Sequence, residues 1–133
     1  MFRISLLVLI LSCGFSPASA QNDSVGVSAS SKKSKKVLYG QASFYSNKFH
    51  GRKTANGEIF SQDKFTAACN VLPLGTMIRV TNLKNGKTVV VKTNDRLHAK
   101  TRRLVDLTRA AAKKLGFISR GLTRVKVEVI GKN

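Results

Sequence analysis

The strongest structural signal in this chain is a β-hairpin at its centre. Apolar and polar side chains alternate in residues 77–83, and residues 87–93 form a second β-rich run after the dipeptide Asn85-Gly86. This dipeptide is the preferred turn of tight antiparallel hairpins, because both residues tolerate a positive φ. Residues 89–91 are all valine, so we expect the second strand to be buried on both faces.

Three further segments carry β-type patterns: residues 37–45, 66–71 and 122–130. In the last of these, Val125, Val127 and Val129 face one way and charged side chains face the other, which predicts a half-buried strand. Several short strands, one short helix and Gly-rich turns are typical of an all-β fold. We therefore expect a small β-barrel whose core includes the loop residues Phe60 and Phe65.

The one predicted helix covers residues 106–116. Alanine and leucine in this segment favour a helix, and Asp106 or Thr108 can cap its first turn. Gly116 follows at the position of a C-terminal cap. Capping is therefore the structural explanation that the sequence offers for Asp106.

The N-terminus has the pattern of an export signal. Arg3 precedes an apolar run at residues 4–11 that is too short to span a bilayer, and residues 18–20 form a small-residue cleavage site. We expect cleavage after this site. A second interpretation is a lipobox at residues 10–13, in which a lipid on Cys13 would anchor the protein to a membrane.

The chain is predicted to have three parts: a signal peptide at residues 1–20, a basic linker at residues 21–36 and one domain at residues 37–133. The linker has few large apolar side chains, so it cannot offset its ordering entropy and is expected to be disordered. After removal of the signal only Cys69 remains of the two cysteines. The domain must then be stabilised by packing without an internal disulfide.

Carboxylates are the rare groups in this sequence, which has 24 Lys and Arg but 6 Asp and Glu, a formal net charge of +18. Glu58, Asp95 and Asp106 lie in or beside short polar clusters between apolar segments. A carboxyl group in such a setting is a typical place for acid–base chemistry. The two His, the remaining Cys and the scattered acids have no metal-ligand spacing, so we expect neither a metal nor another cofactor.

Seven segments, in this order and spacing, resemble the rare lipoprotein A (RlpA) family: residues 40–45 (GQASFY), 49–58 (FHGRKTANGE), 72–76 (LPLGT), 80–83 (VTNL), 85–86 (NG), 94–96 (NDR) and 106–108 (DLT). The likeness extends from Gly40 to about Ile130. It implies a six-stranded double-psi β-barrel, similar to the barrels of expansins and family 45 endoglucanases. It also implies a periplasmic or cell-envelope location and a lytic transglycosylase that prefers peptidoglycan glycan strands without stem peptides.

The resemblance also implies which residues form the site. The family's two functional carboxylates correspond to Glu58 in the Ala-Asn-Gly-Glu motif and Asp95 in the Asn-Asp-Arg motif. The substrate-binding residues implied by the same motifs are Tyr45, Asn56, Cys69, Asn94, Arg96 and Asp106. Cys69 stands where the family has a His, and the residues after Arg96 differ from the family's Gly-Pro-Phe.

A lytic transglycosylase needs one carboxyl group in two roles. As an acid it protonates the glycosidic oxygen, and as a base it then takes the proton from the C6 hydroxyl of muramic acid. We assign both roles to Asp95, where apolar neighbours such as Val91 would favour the protonated form by desolvation. Glu58 is expected to orient the sugar or to stabilise positive charge on the ring.

Each of these residues also has a structural interpretation. Asp95 would close the barrel by pairing with a neighbouring arginine, either Arg96, Arg102 or Arg103. Asp106 would cap the helix. Cys69 would be a small buried hydrophobe, which is the usual role of a free cysteine, and we do not expect it to be a nucleophile.

The positive charge fits nucleic acid, anionic lipid or a cell-wall glycan whose lactyl groups carry carboxylates. The export signal, and the lack of a basic recognition helix or clustered stacking aromatics, argue against nucleic acid. Cations near the motif loops favour the glycan by electrostatic steering: Arg52, Lys53, Arg96, Arg102 and Arg103. Membrane contact is expected only if Cys13 is lipidated.

Two classes of function remain open from the sequence. The first is a peptidoglycan-cleaving enzyme, and the second is a non-catalytic, expansin-like module that binds cell-wall glycan. The replacement of the family's His by Cys69 is the feature that favours the second class. We expect a monomer in either case.

Overall fold

The computed structural model describes residues 36–132. The predicted signal peptide, and all but the last residue of the predicted linker, lie outside the described residues. The described elements are β1 (Val37–Phe44), a 3₁₀ turn (Asn47–Phe49), β2 (Thr66–Cys69), β3 (Thr76–Asn82), β4 (Thr88–Asp95), β5 (Val105–Leu107), α1 (Arg109–Leu115) and β6 (Thr123–Lys132).

The six strands of residues 36–132 close into a barrel in the order β1-β5-β2-β4-β3-β6. The neighbouring pairs β1–β5 and β2–β4 are parallel, and the other four pairs are antiparallel. The prediction of a small all-β barrel of six strands with one short helix is confirmed. In this arrangement the ends of β1, β2 and β4 meet beside β5, which is where the predicted site residues lie.

β3 and β4 form the predicted hairpin. They pair antiparallel, and the turn between them has Gly86 at φ 74°, a conformation that glycine adopts without strain. The prediction that β4 is buried on both faces is wrong. Val89 and Val91 point into the barrel, but Val90 is 42% exposed, because only the inner face of the barrel wall is covered at this position.

The helix α1 is shorter than predicted. It follows Thr108, whose hydroxyl accepts a hydrogen bond from the backbone N–H of Ala111 at 3.4 Å, and it ends at Gly116, which has φ 74°. The interpretation of Asp106 as a helix cap is wrong, because β5 pairs with both β1 and β2 and the chain is still extended there. Within residues 36–132, no helix is both long enough and apolar enough to cross a membrane.

The hydrophobic core contains inward-facing side chains from all six strands and from one face of α1. Phe117 is 1% exposed and lies edge-on to Phe44, with 5.8 Å between the ring centroids. Phe60 is buried as predicted, but Phe65 is 46% exposed. Phe65 precedes β2 on the outer surface, where Lys114 Nζ lies 5.6 Å from its ring centroid, so the prediction that it fills the core is wrong.

Candidate functional site

Four residues form one lateral row across four neighbouring strands. Ser43 of β1 pairs with Asp106 of β5, Asp106 pairs with Ala68 of β2, and Ala68 pairs with Asp95 of β4. Directly paired residues share a face of the sheet. Cys69, the neighbour of Ala68, belongs to the core, so the row lies on the outer face. The two aspartates therefore share one outer surface and are separated by the methyl group of Ala68.

An irregularity in β4 sets the direction of Asp95. Ala67 pairs with Thr93, but Ala68 pairs with Asp95, so Asn94 is an extra residue in the register between β2 and β4. With regular alternation Asp95 would share the inner face with Thr93, which is fully buried. The extra residue reverses the alternation and turns Asp95 outward, as β-bulges beside active sites commonly do.

Three donors hold the Asp95 carboxylate. Oδ1 accepts hydrogen bonds from the backbone N–H of Ala55 at 2.9 Å and of Arg96 at 2.8 Å, and Oδ2 accepts from the Tyr45 hydroxyl at 2.7 Å. These surroundings are more polar than the apolar setting that Val91 led us to expect. Within the described residues Oδ2 has one partner and Oδ1 has two, so Oδ2 is the oxygen with an acceptor position open to a substrate.

No arginine side chain among residues 36–132 forms an ion pair with Asp95. Arg103 binds Asp106 through two hydrogen bonds, Nε to Oδ1 at 2.8 Å and a terminal nitrogen to Oδ2 at 3.0 Å. The side chain of Arg96 donates to the backbone carbonyl oxygens of Cys69, the last residue of β2, and of Leu72, which lies between β2 and β3. The alternative in which an arginine pair makes Asp95 a barrel-closing residue is therefore wrong for residues 36–132.

Tyr45 is a hydrogen-bond donor fixed by its own packing. Its ring lies 4.3 Å from that of Phe60 and 5.8 Å from that of Phe49, measured between centroids. Burial is the main reason that the pKa of Tyr45 is raised far above its ordinary value, followed by the hydrogen bond to Asp95 and the charges of Asp95 and Asp106. The phenol therefore keeps its proton at physiological pH and is a donor to Asp95.

The motif loop at residues 54–58 is a tight turn attached to the end of β4. The backbone N–H of Thr54 donates to the carbonyl of Glu58 at 2.7 Å, and Gly57 occupies φ 89°. This φ favours glycine, since a side chain there would be strained. The backbone N–H of Asn56 donates to the carbonyl of Asn94 at 3.1 Å, which fastens the loop beside Asp95.

Glu58 lies in a network of donors on this loop. Its Oε1 accepts one hydrogen bond from Lys92 Nζ and another from Asn56 Nδ2, the latter with a length of 2.7 Å. Its Oε2 accepts a hydrogen bond from Asn94 Nδ2 at 3.3 Å. The hydrogen bond from Lys92 is the main reason that the pKa of Glu58 lies below its ordinary value, and the two asparagines add to the effect. Glu58 is therefore a fixed anion at neutral pH.

The variant Glu58→Gln is expected to lower the free energy of unfolding by up to about 1 kcal/mol at neutral pH, because an ion pair this exposed is screened by solvent. The folded-state pKa of Glu58 is depressed, so the stabilisation is present above the ordinary range of Glu, near about 4.3, and is lost as the pH falls through the folded-state pKa. Urea midpoints of wild type and variant should differ at neutral pH and converge in strong acid. A gap that stays constant across this range would contradict the expectation.

Two predicted contact residues are buried. Cys69 is fully buried in the core cluster, which is the position of a small buried hydrophobe and not of a group that touches a ligand. Asn94 is 2% exposed and donates to Glu58, while its Oδ1 has no hydrogen-bond partner among residues 36–132. The structure therefore brings Tyr45, Asn56, Glu58, Asn94 and Asp95 together, places Asp106 beside them and leaves Cys69 in the core.

Two groups of this site were not predicted. Lys92 follows Val90 on the outer face of β4, so the alternation of this strand was the signal that would have placed it near the motif loop. The backbone N–H of Ala55 has no sequence signal, because every residue except proline has a backbone N–H.

The described residues contain no group of three or more His, Cys, Asp or Glu side chains that could hold a metal ion. A fixed carboxyl group beside a fixed anion is an arrangement suited to proton transfer.

Comparison with known proteins identifies close sequence relatives. Three are named endolytic peptidoglycan transglycosylase RlpA. That of Neisseria meningitidis serogroup A is 50% identical over 91 residues, covering 68% of this chain and 38% of the relative. That of Pseudomonas aeruginosa UCBPP-PA14 is 53% identical over 93 residues, covering 70% of this chain and 27% of the relative. That of Haemophilus influenzae is 46% identical over 94 residues, covering 71% of this chain and 33% of the relative. The chain thus spans less than half the length of these relatives.

Solved structures at low sequence identity share the fold. The Streptomyces papain inhibitor superposes with a TM-score of 0.59 at 21% identity, covering 71% of this chain and 94% of the inhibitor. The apo expansin of Clavibacter michiganensis superposes with a TM-score of 0.59 at 22% identity, covering 71% of this chain and 50% of the expansin. At this level of identity the likeness establishes the double-psi β-barrel and no more.

The family comparison covers well over half of the chain. A sequence model of the family described as lytic transglycolase matches residues 38–127, a span that begins in β1 and ends in β6. It includes the motif loop, the end of β4 and the whole lateral row that carries the two aspartates. The chain therefore belongs to the lytic transglycolase family of RlpA-like double-psi β-barrels.

Proposed function

We propose that this protein is an endolytic peptidoglycan lytic transglycosylase that cleaves peptide-free glycan strands and leaves 1,6-anhydromuramic ends. The observation that carries the proposal is the position of Asp95, an outward carboxylate held by three donors beside the anionic Glu58. The family model spans both residues, and the names of the relatives state this activity.

In the first step, Asp95 in its protonated form donates its proton to the glycosidic oxygen. The bond between that oxygen and C1 of muramic acid breaks, and the bond's electron pair leaves with the oxygen, so positive charge develops on the sugar ring. The fixed negative charge of Glu58 stabilises this charge. Tyr45 and the amide of Ala55 keep the carboxyl group in place while Oδ2 exchanges the proton.

In the second step, the Asp95 carboxylate accepts the proton of the C6 hydroxyl. The C6 oxygen forms a bond to C1 and closes the 1,6-anhydro ring, and the proton gained by Asp95 restores its acid form. No water enters the products, which distinguishes this reaction from hydrolysis by a pair of carboxyl groups. One carboxyl group therefore completes the cycle.

Exposed cations support a glycan without stem peptides as the substrate. Arg52 and Lys53 precede the motif loop, and Arg102 lies in the segment before β5, all exposed to solvent. Removal of the peptides leaves lactyl carboxylates on the glycan, and these cations attract them. Arg96 and Arg103 take less part in this attraction, because their side chains already bind partners within the domain.

Mass spectrometry of the products formed by the purified protein from peptide-free glycan tests the proposal. Fragments ending in 1,6-anhydromuramic acid are expected, whereas reducing ends would identify a hydrolase. Binding of the strands without any cleavage would favour the second candidate, an expansin-like glycan-binding module. The buried Cys69, at the position of the family's His, would then be the first residue to examine.

We further propose export of a monomeric protein, with removal of residues 1–20. The basis is the sequence pattern of the N-terminus, which lies outside the described residues. N-terminal sequencing of the protein from its native cell should begin at Gln21, and light scattering should give a monomer mass. A lipid on Cys13 would instead establish a membrane anchor, and an intact Met1 in a cytoplasmic fraction would contradict export.

A further inference from the structure

A second concave feature lies at the end of the barrel away from Asp95. This hairpin-end pocket, of roughly 280 Å³, is lined by Leu83, Lys84, Arg120, Thr123 and Arg124. Its walls come from the β3–β4 turn, the α1–β6 connection and the start of β6. β4 runs from this turn to Asp95 in eight residues, so about 23 Å separates its two ends at about 3.3 Å per residue.

Hydrogen bonds hold the walls of the pocket together. The backbone N–H of Leu83 donates to the carbonyl of Arg124 at 3.0 Å. Behind them, Asn82 is 2% exposed, accepts from the Thr123 hydroxyl at 2.7 Å and donates to the carbonyl of Leu115 at 2.9 Å. The turn, the helix end and β6 are thus joined through one buried amide. The pocket is a formed part of the fold.

The charge of the pocket is positive and uncompensated within residues 36–132. Lys84, Arg120 and Arg124 are exposed, and the ion pairs of the described residues involve other cations, namely Lys92, Arg103 and Lys126. Leu83, which lines the pocket, and Leu122, which precedes the lining residue Thr123 in the chain, are each 46% exposed. The pocket therefore combines three cations with the exposed side chain of Leu83, and Leu122 adds exposed apolar surface at the start of β6.

We propose that the hairpin-end pocket docks the barrel on an anionic phospholipid surface. A phosphate head group would lie between the three cations, and the leucines would contact the boundary of the acyl chains. A small soluble anion would use the cations alone and would leave Leu83 and Leu122 exposed. Docking by this end directs the Asp95 end away from the membrane, and it requires no lipid on Cys13.

Vesicle flotation tests the docking with the purified mature protein that begins at Gln21. The probes are vesicles of phosphatidylcholine, the same vesicles with added phosphatidylglycerol, and inorganic phosphate as a competitor. The wild-type protein should float with the vesicles that contain phosphatidylglycerol. It should not float with vesicles of phosphatidylcholine alone. The triple variant Lys84→Ala, Arg120→Ala, Arg124→Ala should lose about tenfold or more of the vesicle affinity, and Leu83→Ser should weaken binding without any change of charge.

The matched control is Arg79→Ala, Lys113→Ala, Lys132→Ala, which removes three exposed cations from outside the pocket. It should retain vesicle binding to within about threefold. Equal loss in both triple variants, or no binding of wild type to anionic vesicles, would overturn the proposal. Displacement from vesicles by inorganic phosphate at low concentration would also overturn it, by making the pocket a site for a free anion. Glycan cleavage by the pocket variant should be unchanged, so this test does not depend on the proposed activity.

Discussion

The variant Asp95→Asn is expected to slow glycan cleavage by about 10²–10⁴-fold, the usual worth of one general acid–base group. The amide has nearly the same shape as the carboxyl group but cannot act as an acid or a base near neutral pH. Its oxygen can still accept from the N–H groups of Ala55 and Arg96, and its nitrogen can donate to the Tyr45 hydroxyl. Anhydro ends should disappear while strand binding and thermal stability remain.

The matched control for this experiment is Asp63→Asn, which removes one negative charge from an exposed loop position outside the site. It should cleave glycan at the wild-type rate, so that a general effect of charge is excluded. An Asp95→Asn protein that folds and keeps more than about a tenth of the wild-type rate would contradict the assignment, given the expected size of the effect. The acid–base group would then have to be another side chain of the same surface.

The variant Phe117→Ala is expected to lower the free energy of unfolding by about 3–5 kcal/mol, the typical cost of truncating a buried phenylalanine. Phe117 is 1% exposed, and its ring meets that of Phe44 edge-on. The whole stability of a domain of this size is about 5–15 kcal/mol. The variant should therefore unfold at a much lower urea concentration than the wild type.

Phe65→Ala is the control, since it makes the same chemical change at a side chain that is 46% exposed. Loss of its contact with Lys114 should cost no more than about 0.5–1 kcal/mol. Urea denaturation followed by circular dichroism, with the dependence on urea compared between variants, measures both effects. Similar losses of the free energy of unfolding in the two variants would mean that Phe117 does not stabilise the core as much as its burial indicates.

Much of the barrel was predictable because alternation and turn residues are local signals. Asn85-Gly86 placed the hairpin, and the valines of β6 placed the last strand on the barrel wall. The errors concern long-range contacts. Nothing near Val90 or Phe65 in sequence states that their side chains lie outside the wall, and Asp106 looked like a cap because the strands that pair with β5 are distant along the chain.

The candidate site was predicted in part, for a related reason. Motif positions identified Glu58 and Asp95, and the outer face of β4 carried a signal for Lys92. The register shift that turns Asp95 outward arises from pairing with β2, more than twenty residues earlier in the sequence. The amide of Ala55 reaches Asp95 only because the motif loop is fastened to β4. Backbone donors and bulges are properties of the folded chain.

The pairing of β1 with β5 and β6 has a consequence for the order of folding. Both strands that pair with β1 lie in the last third of the domain's sequence. During synthesis, β1 therefore remains an unpaired strand until almost the whole chain has been made, and contacts this distant in sequence form slowly. Closure of the barrel is therefore a late event in folding, because it needs residues from both ends of the domain.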